Sequence, residues 1–124
     1  MGSKVKILYV DDEPLNLELF VLNFEDKYTI FTAPSPFAGL DFVASNSDIS
    51  IVISDMMMPH MNGLDFIKCV RKLHPNMVCF ILTGFDLSQE LIEALNKRII
   101  SKYLCKPFDI KAIDKAIIES AVCA

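Results

Sequence analysis

Ile49-Ser50-Ile51-Val52-Ile53-Ser54-Asp55 is the stretch on which the fold turns. Its run Ile49–Ser54 is short, largely β-branched and almost continuously apolar, and a carboxylate closes it. A run of that kind reads as a strand covered on both faces. Outward from it, Val5–Val10 (VKILYV) and Met77–Leu82 (MVCFIL) have the same character, and Tyr28–Thr32 (YTIFT) and Lys102–Leu104 (KYL) are shorter versions. Between these runs the apolar residues recur at helical spacing. Leu17, Phe20, Val21 and Phe24 make one stripe, and Phe37, Leu40, Val43 and Ala44 a second. Leu64, Ile67, Val70 and Leu73 make a third, Leu91, Ala94 and Leu95 a fourth, and Ile110, Ile113, Ile117 and Ala121 a fifth.

Punctuation supports this division. Pro14 suits the first turn of a helix, where its missing N–H costs nothing. Ser35 before Pro36, Ser88 and Asp109 suit N-caps, Asn62-Gly63 breaks the chain, and Pro75-Asn76 ends a helix. The order is strand then helix, five times over. Such alternation implies an α/β fold with a parallel sheet and helices on both faces, because parallel strands need right-handed crossovers.

Composition narrows the classes. With 124 residues the chain suits one domain, 1–124, and 52% hydrophobic residues exclude disorder. A net charge of −4 with scattered lysines gives no nucleic-acid surface. No apolar run approaches the roughly 20 residues of a membrane span, and the first residues carry no signal-peptide core. Met1-Gly2-Ser3 is equally consistent with a cloning remnant. Cys69, Cys79, Cys105 and Cys123 lack CxxC spacing and sit in apolar stretches. They read as buried, reduced thiols of a cytoplasmic protein rather than a zinc site or disulfide framework.

In open parallel sheets the functional site lies outside the carboxyl ends of the strands. There stand Asp11, Asp12 and Glu13 after the first strand, Asp55 after the third, Thr83-Gly84 after the fourth, and Cys105-Lys106-Pro107 after the fifth. Two carboxylates about 4 Å apart repel by about 4 kcal/mol at an effective dielectric near 20. Lys106 supplies one compensating charge, and a divalent ion supplies the rest. Oxygen-only donors with room for water suit Mg²⁺ better than Zn²⁺. Mg²⁺ beside a lysine and a hydroxyl suits a phosphoryl group, with Asp55 as nucleophile and Asp11 and Asp12 holding the metal. Each feature also has a plainer reading: Asp12 before Pro14 suits an N-cap, Lys106-Pro107 is a turn dipeptide, and Thr83 can cap a loop.

The set Val10-Asp11-Asp12-Glu13-Pro14, Asp55-Met56-Met57-Met58-Pro59 with Gly63, Leu82-Thr83-Gly84, and Tyr103-Leu104-Cys105-Lys106-Pro107-Phe108 resembles the receiver domain of two-component response regulators. The resemblance spans essentially the whole chain. It implies a flavodoxin-like (βα)5 doubly wound sheet of strand order 2-1-3-4-5. It also implies that Asp55 accepts a phosphoryl group from a sensor histidine kinase or histidine phosphotransfer protein. Asp12, Asp55 and the Met57 backbone carbonyl are then Mg²⁺ ligands, with Asp11 acting largely through water. Lys106 pairs with Asp55 and afterwards with the phosphoryl oxygens. Thr83 moves toward the phosphoryl group, and Tyr103 turns inward as the switch aromatic. The helix 4–strand 5–helix 5 surface would carry the signal, through its mixed charges and a possible homodimer; the plainer reading is a solvated helical surface. The chain itself would be a signalling switch, not a conventional enzyme, and any output domain lies outside it.

Departures from the common pattern carry expectations of their own. Met57 is apolar where many relatives are polar, which implies slow loss of the phosphoryl group. Cys105 beside Lys106 reads as a packing residue, the Met56–Met61 cluster as pliable packing, and His60 and His74 as surface residues. The main alternative is a receiver-like interaction module that is not phosphorylated. A haloacid-dehalogenase type of phosphatase needs a second acid two residues after the nucleophile, where Met57 stands. Neither G-x-G-x-x-G after the first strand nor a Walker-type loop occurs, so nucleotide binding has no support.

Overall fold

The computed structural model describes residues 4–84, 88–106 and 108–122. Residues 1–3, Pro107, Cys123 and the Ala121 side chain, named above, lie outside that description. In chain order the elements are β1 (Lys6–Val10), α1 (Pro14–Phe24), β2 (Thr29–Ala33), α2 (Pro36–Ser45), β3 (Ile51–Asp55), α3 (Gly63–Leu73), β4 (Val78–Thr83), α4 (Gln89–Asn96), β5 (Lys102–Cys105) and α5 (Ile110–Val122). The strands form one parallel sheet in the order β2-β1-β3-β4-β5. This is the flavodoxin-like arrangement expected from the sequence.

The strands sit slightly further along the chain than the apolar runs. Asp55 pairs with Leu82 and Thr83 with Cys105, so both polar residues are the last rungs of their ladders rather than loop residues. That backbone pairing fixes both Cα positions.

Alternate strand residues feed two cores, as a period of two requires. Leu8, Val10, Val52 and Ile81 pack with Val43, Phe66, Ile67, Val70 and Leu91, on the face of α2, α3 and α4. Ile7, Tyr9, Ile53, Phe80 and Leu82 pack with Phe20, Phe24, Ile113 and Ile117, on the face of α1 and α5. The central strands β1, β3 and β4 are buried nearly throughout, and the edge strands β2 and β5 are half-exposed.

Ser35, Asn62 and Ser88 cap α2, α3 and α4 through their side-chain oxygens, and the Asp109 carboxylate accepts from the Ala112 N–H in the first turn of α5. Pro14 occupies the first turn of α1, but the N-cap is Glu13, which makes no side-chain cap. Asp12 is therefore not a capping residue.

Several apolar residues face solvent instead of the core. Phe37, Leu73 and Ile110 are exposed. In α2 the inward row is Pro36, Gly39 and Val43, one residue out of phase with Phe37. Cys79 is buried and burial pushes its thiol up to about 12, but Cys105 is exposed, contrary to the expectation of a packing thiol. Met58 is buried, and Met56 and Met61 pack against the core. His60 is exposed, whereas His74 is half-buried with its Nε2 3.2 Å from the Val43 carbonyl.

Gly63 joins the fold to the site. Its N–H donates to the Met56 carbonyl at 2.8 Å, and a Cβ there would lie 2.1 Å from the Asp55 carbonyl oxygen. Only a residue without a side chain lets α3 start this close to the end of β3. Gly63→Ala should lower the unfolding free energy by about 1–3 kcal/mol in urea denaturation, as overpacking against backbone does. A loss under about 0.5 kcal/mol, the scale of neutral surface changes, would show that the loop yields freely.

Candidate functional site

The carboxyl edge of β1, β3, β4 and β5 gathers the residues singled out in the sequence. Carboxylate oxygens of Asp11, Asp12 and Asp55 lie within 4.8 Å of one another. Asp11 is fully buried and Asp55 is 7% exposed. The Lys106 ammonium reaches in from the end of β5. Its Nζ lies 2.9 Å from Asp11 Oδ2 and 3.3 Å from Asp55 Oδ1. The nearer partner is thus Asp11, where the sequence pointed to Asp55. The Lys106 backbone N–H donates to the Thr83 carbonyl at 2.7 Å, which ties β5 to the end of β4 at this point.

Asp11 is the most heavily bonded member. Its Oδ2 accepts from the Tyr9 hydroxyl at 2.5 Å, Lys106 Nζ at 2.9 Å and Asn16 Nδ2 at 3.2 Å. Its Oδ1 accepts from the Glu13 N–H at 3.0 Å. A buried carboxylate needs such company, since an unpaired buried charge costs several kcal/mol. Tyr9 is fully buried, stacked on Phe20 at 4.4 Å between ring centroids and edge-on to Phe108 at 6.0 Å. Burial, and then the hydrogen bond and charge of Asp11, push the Tyr9 phenol far above its ordinary value. The phenol keeps its proton and donates. Sequence reading missed Tyr9 and Asn16; the only available signal was a polar tip inside an apolar strand, two residues before the acids.

Burial raises Asp55 above the ordinary carboxylate range, the Lys106 charge pulls it back, and the Asp11 charge raises it again; the net direction is up. For Lys106, burial alone would lower the ammonium, but the Asp11 hydrogen bond and the charges of Asp55 and Asp11 outweigh it and leave it raised. Three carboxylates against one ammonium leave, among the described residues, a formal charge of −2. Among the described residues the donors gathered here are oxygens, without His or Cys, and such a set with surplus negative charge fits a hard divalent ion such as Mg²⁺.

The other expected residues border this cluster. Thr83 is buried at the end of β4. Tyr103 is half-buried in β5, packs against the α2–α3–α4 core, and accepts a long contact from Cys105 Sγ at 3.6 Å. The Met57 side chain, two residues after Asp55, is 57% exposed.

Comparison with known proteins gives matches over nearly the whole chain. Residues 7–118 match the family model described as "Response regulator receiver domain". The transcriptional regulatory protein GlrR of Escherichia coli (strain K12) is 33% identical over 120 residues, covering 93% of this chain and 27% of GlrR. The chain thus spans about a quarter of the length of the regulators it matches first. A chemotaxis protein CheY homolog of Campylobacter jejuni is 32% identical over 84% of this chain and 82% of its own. Among solved structures, a response regulator receiver domain protein from Clostridium thermocellum superposes with TM-score 0.83 at 33% identity, covering 94% of this chain and 93% of that one. The response regulator TrrA from Thermotoga maritima, solved in complex with Mg²⁺-BeF, superposes with TM-score 0.81 at 26% identity, covering 94% of this chain and 98% of its own.

The raised Asp55 makes a prediction with a definite sign. A carboxyl whose folded pKa is raised penalises the fold above that pKa, and the penalty vanishes as pH falls to the unfolded value near 4. In metal-free buffer at neutral pH, Asp55→Asn should therefore melt above the native chain. The gap should close toward pH 4 in thermal denaturation. A variant less stable than the native chain at neutral pH would contradict this.

Proposed function

The chain belongs to the response regulator receiver domain family, and on that premise we propose that it is a phosphorelay switch whose phosphoryl acceptor is Asp55. The observation that carries this reading is the Lys106 ammonium held between Asp11 and Asp55 beside the cluster of three carboxylates. An Asp55 carboxylate oxygen attacks the phosphorus of a phosphohistidine on a sensor histidine kinase or histidine phosphotransfer protein. The O–P bond forms as the P–N bond breaks, the electron pair returns to the imidazole nitrogen, and Asp55 becomes an acyl phosphate. Asp12, Asp55 and the Met57 backbone carbonyl, with Asp11 acting largely through water, would hold Mg²⁺, which would supply positive charge against the phosphoryl oxygens. Support for it comes from the donor set and from TrrA, which was solved with Mg²⁺-BeF.

Lys106 pairs with the same oxygens, and the Thr83 hydroxyl donates to one of them. Movement of Thr83 opens space for the half-buried Tyr103 ring, which biases a two-state element. The signal then reaches the α4–β5–α5 surface. Glu90, Glu93, Lys97, Arg98, Lys111 and Lys115 are exposed there, while Lys102 already pairs with Glu119 at 3.3 Å. A phosphorylation-driven homodimer through this surface and a cytoplasmic location complete the reading. Among the described residues no helix is long and apolar enough to cross a membrane.

Incubation with Mg²⁺ and acetyl phosphate should add the mass of one phosphoryl group, and Asp55→Asn should abolish the gain. No gain in the native chain, or an equal gain in the variant, would contradict the assignment. The exposed, apolar Met57 offers an attacking water no strong hydrogen bond. The phosphoryl group should therefore persist for minutes or longer and be lost several-fold faster in Met57→Asn. A half-life of seconds, unchanged by that substitution, would contradict it.

A further inference from the structure

The hydrogen bonds of Asp11 raise a question that the proposed chemistry must answer. In the proposed chemistry Lys106 leaves its resting partners for phosphoryl oxygens, yet its shortest resting bond, 2.9 Å, is to Oδ2 of the fully buried Asp11. A buried ionised oxygen that loses its donor is costly, more so than a neutral one. Two other donors converge on the same oxygen. The Tyr9 hydroxyl donates at 2.5 Å and Asn16 Nδ2 at 3.2 Å. Tyr9 cannot drift away, because Phe20 stacks on its ring and Phe108 closes its edge. Asn16 is set by the first turn of α1, where its N–H bonds to the Glu13 carbonyl at 3.0 Å.

From this convergence, and resting on the reading of Asp55 as phosphoryl acceptor, we propose that Tyr9, assisted by Asn16, is a positioning residue that keeps Asp11 Oδ2 hydrogen-bonded when Lys106 moves to a phosphoryl group on Asp55. The two donors act through Asp11. They lower the cost of releasing the ammonium. They also leave Oδ1, which accepts only the Glu13 N–H among the bonds above, as the Asp11 oxygen turned to other uses.

The consequence is a split between two binding steps. Donors on Oδ2 draw charge away from Asp11, so removing one should leave Mg²⁺ affinity unchanged or slightly tighter. The acyl-phosphate mimic beryllofluoride needs Lys106 to be released, so its binding should weaken. Calorimetric titration of the full chain with Mg²⁺ alone, then with beryllofluoride at saturating Mg²⁺, reads both steps. For Tyr9→Phe the expected result is Mg²⁺ affinity equal or tighter and beryllofluoride affinity about tenfold weaker, the order expected for one hydrogen bond to a charged group. Asn16→Ala, at a part-exposed position that spares the core, should show the same split at about threefold. Equal weakening of both steps would mean a merely structural role and overturn the inference, as would beryllofluoride binding unchanged in both variants. If the native chain bound no beryllofluoride, the reading of Asp55 itself would fail and the inference with it; native binding with unchanged variants overturns the inference alone.

Discussion

Repulsion among three carboxylates within 4.8 Å of one another is the constraint around which this domain is organised. At an effective dielectric near 20, each close pair costs about 4 kcal/mol before compensation. One ammonium, shared between Asp11 and Asp55, answers part of that charge. Burial, and behind it the Asp11 charge, keeps Asp55 raised despite Lys106, and the cluster stays short of cations. A set of oxygen donors with this surplus fits a hard divalent ion.

The sheet makes the crowding possible. Parallel pairing of β1, β3, β4 and β5 brings four strand ends to one edge, and the two cores on either face leave these ends little freedom. Thr83 and Asp55 are ladder residues, so hydrogen bonds that also hold the sheet set their backbones. Gly63 lets the start of α3 press against the end of β3. Tyr9 links Asp11 to the aromatic stack of α1 and to Phe108 just beyond β5. Electrostatic repulsion at the edge is thereby set against the two packed cores.

Much of this was legible in the chain because it depends on periodicity and on strand ends. Runs such as Ile49–Ser54 and Met77–Leu82 announce buried strands, and their order places Asp11, Asp55, Thr83 and Lys106 together without any knowledge of side-chain contacts. What stayed hidden is tertiary. Tyr9 reads as one more apolar strand residue until its hydroxyl is seen against Asp11. Phe37 fits a helical stripe, but Gly39 admits Phe66 closely and so sets the inward row one residue away. Cys105 sits in an apolar string, yet it ends an edge strand and faces solvent. Which carboxylate lies nearer Lys106 depends on a rotamer, which no spacing rule specifies.

The most direct test is the melting temperature of the native chain with and without Mg²⁺ at constant ionic strength. A ligand that binds only the folded state stabilises it by mass action. The account predicts a midpoint that climbs with Mg²⁺ concentration and saturates, while an equivalent ionic strength of NaCl leaves it nearly still. A midpoint indifferent to Mg²⁺, or moved equally by NaCl, would mean that the clustered acids are satisfied without a metal, and the central claim would fall.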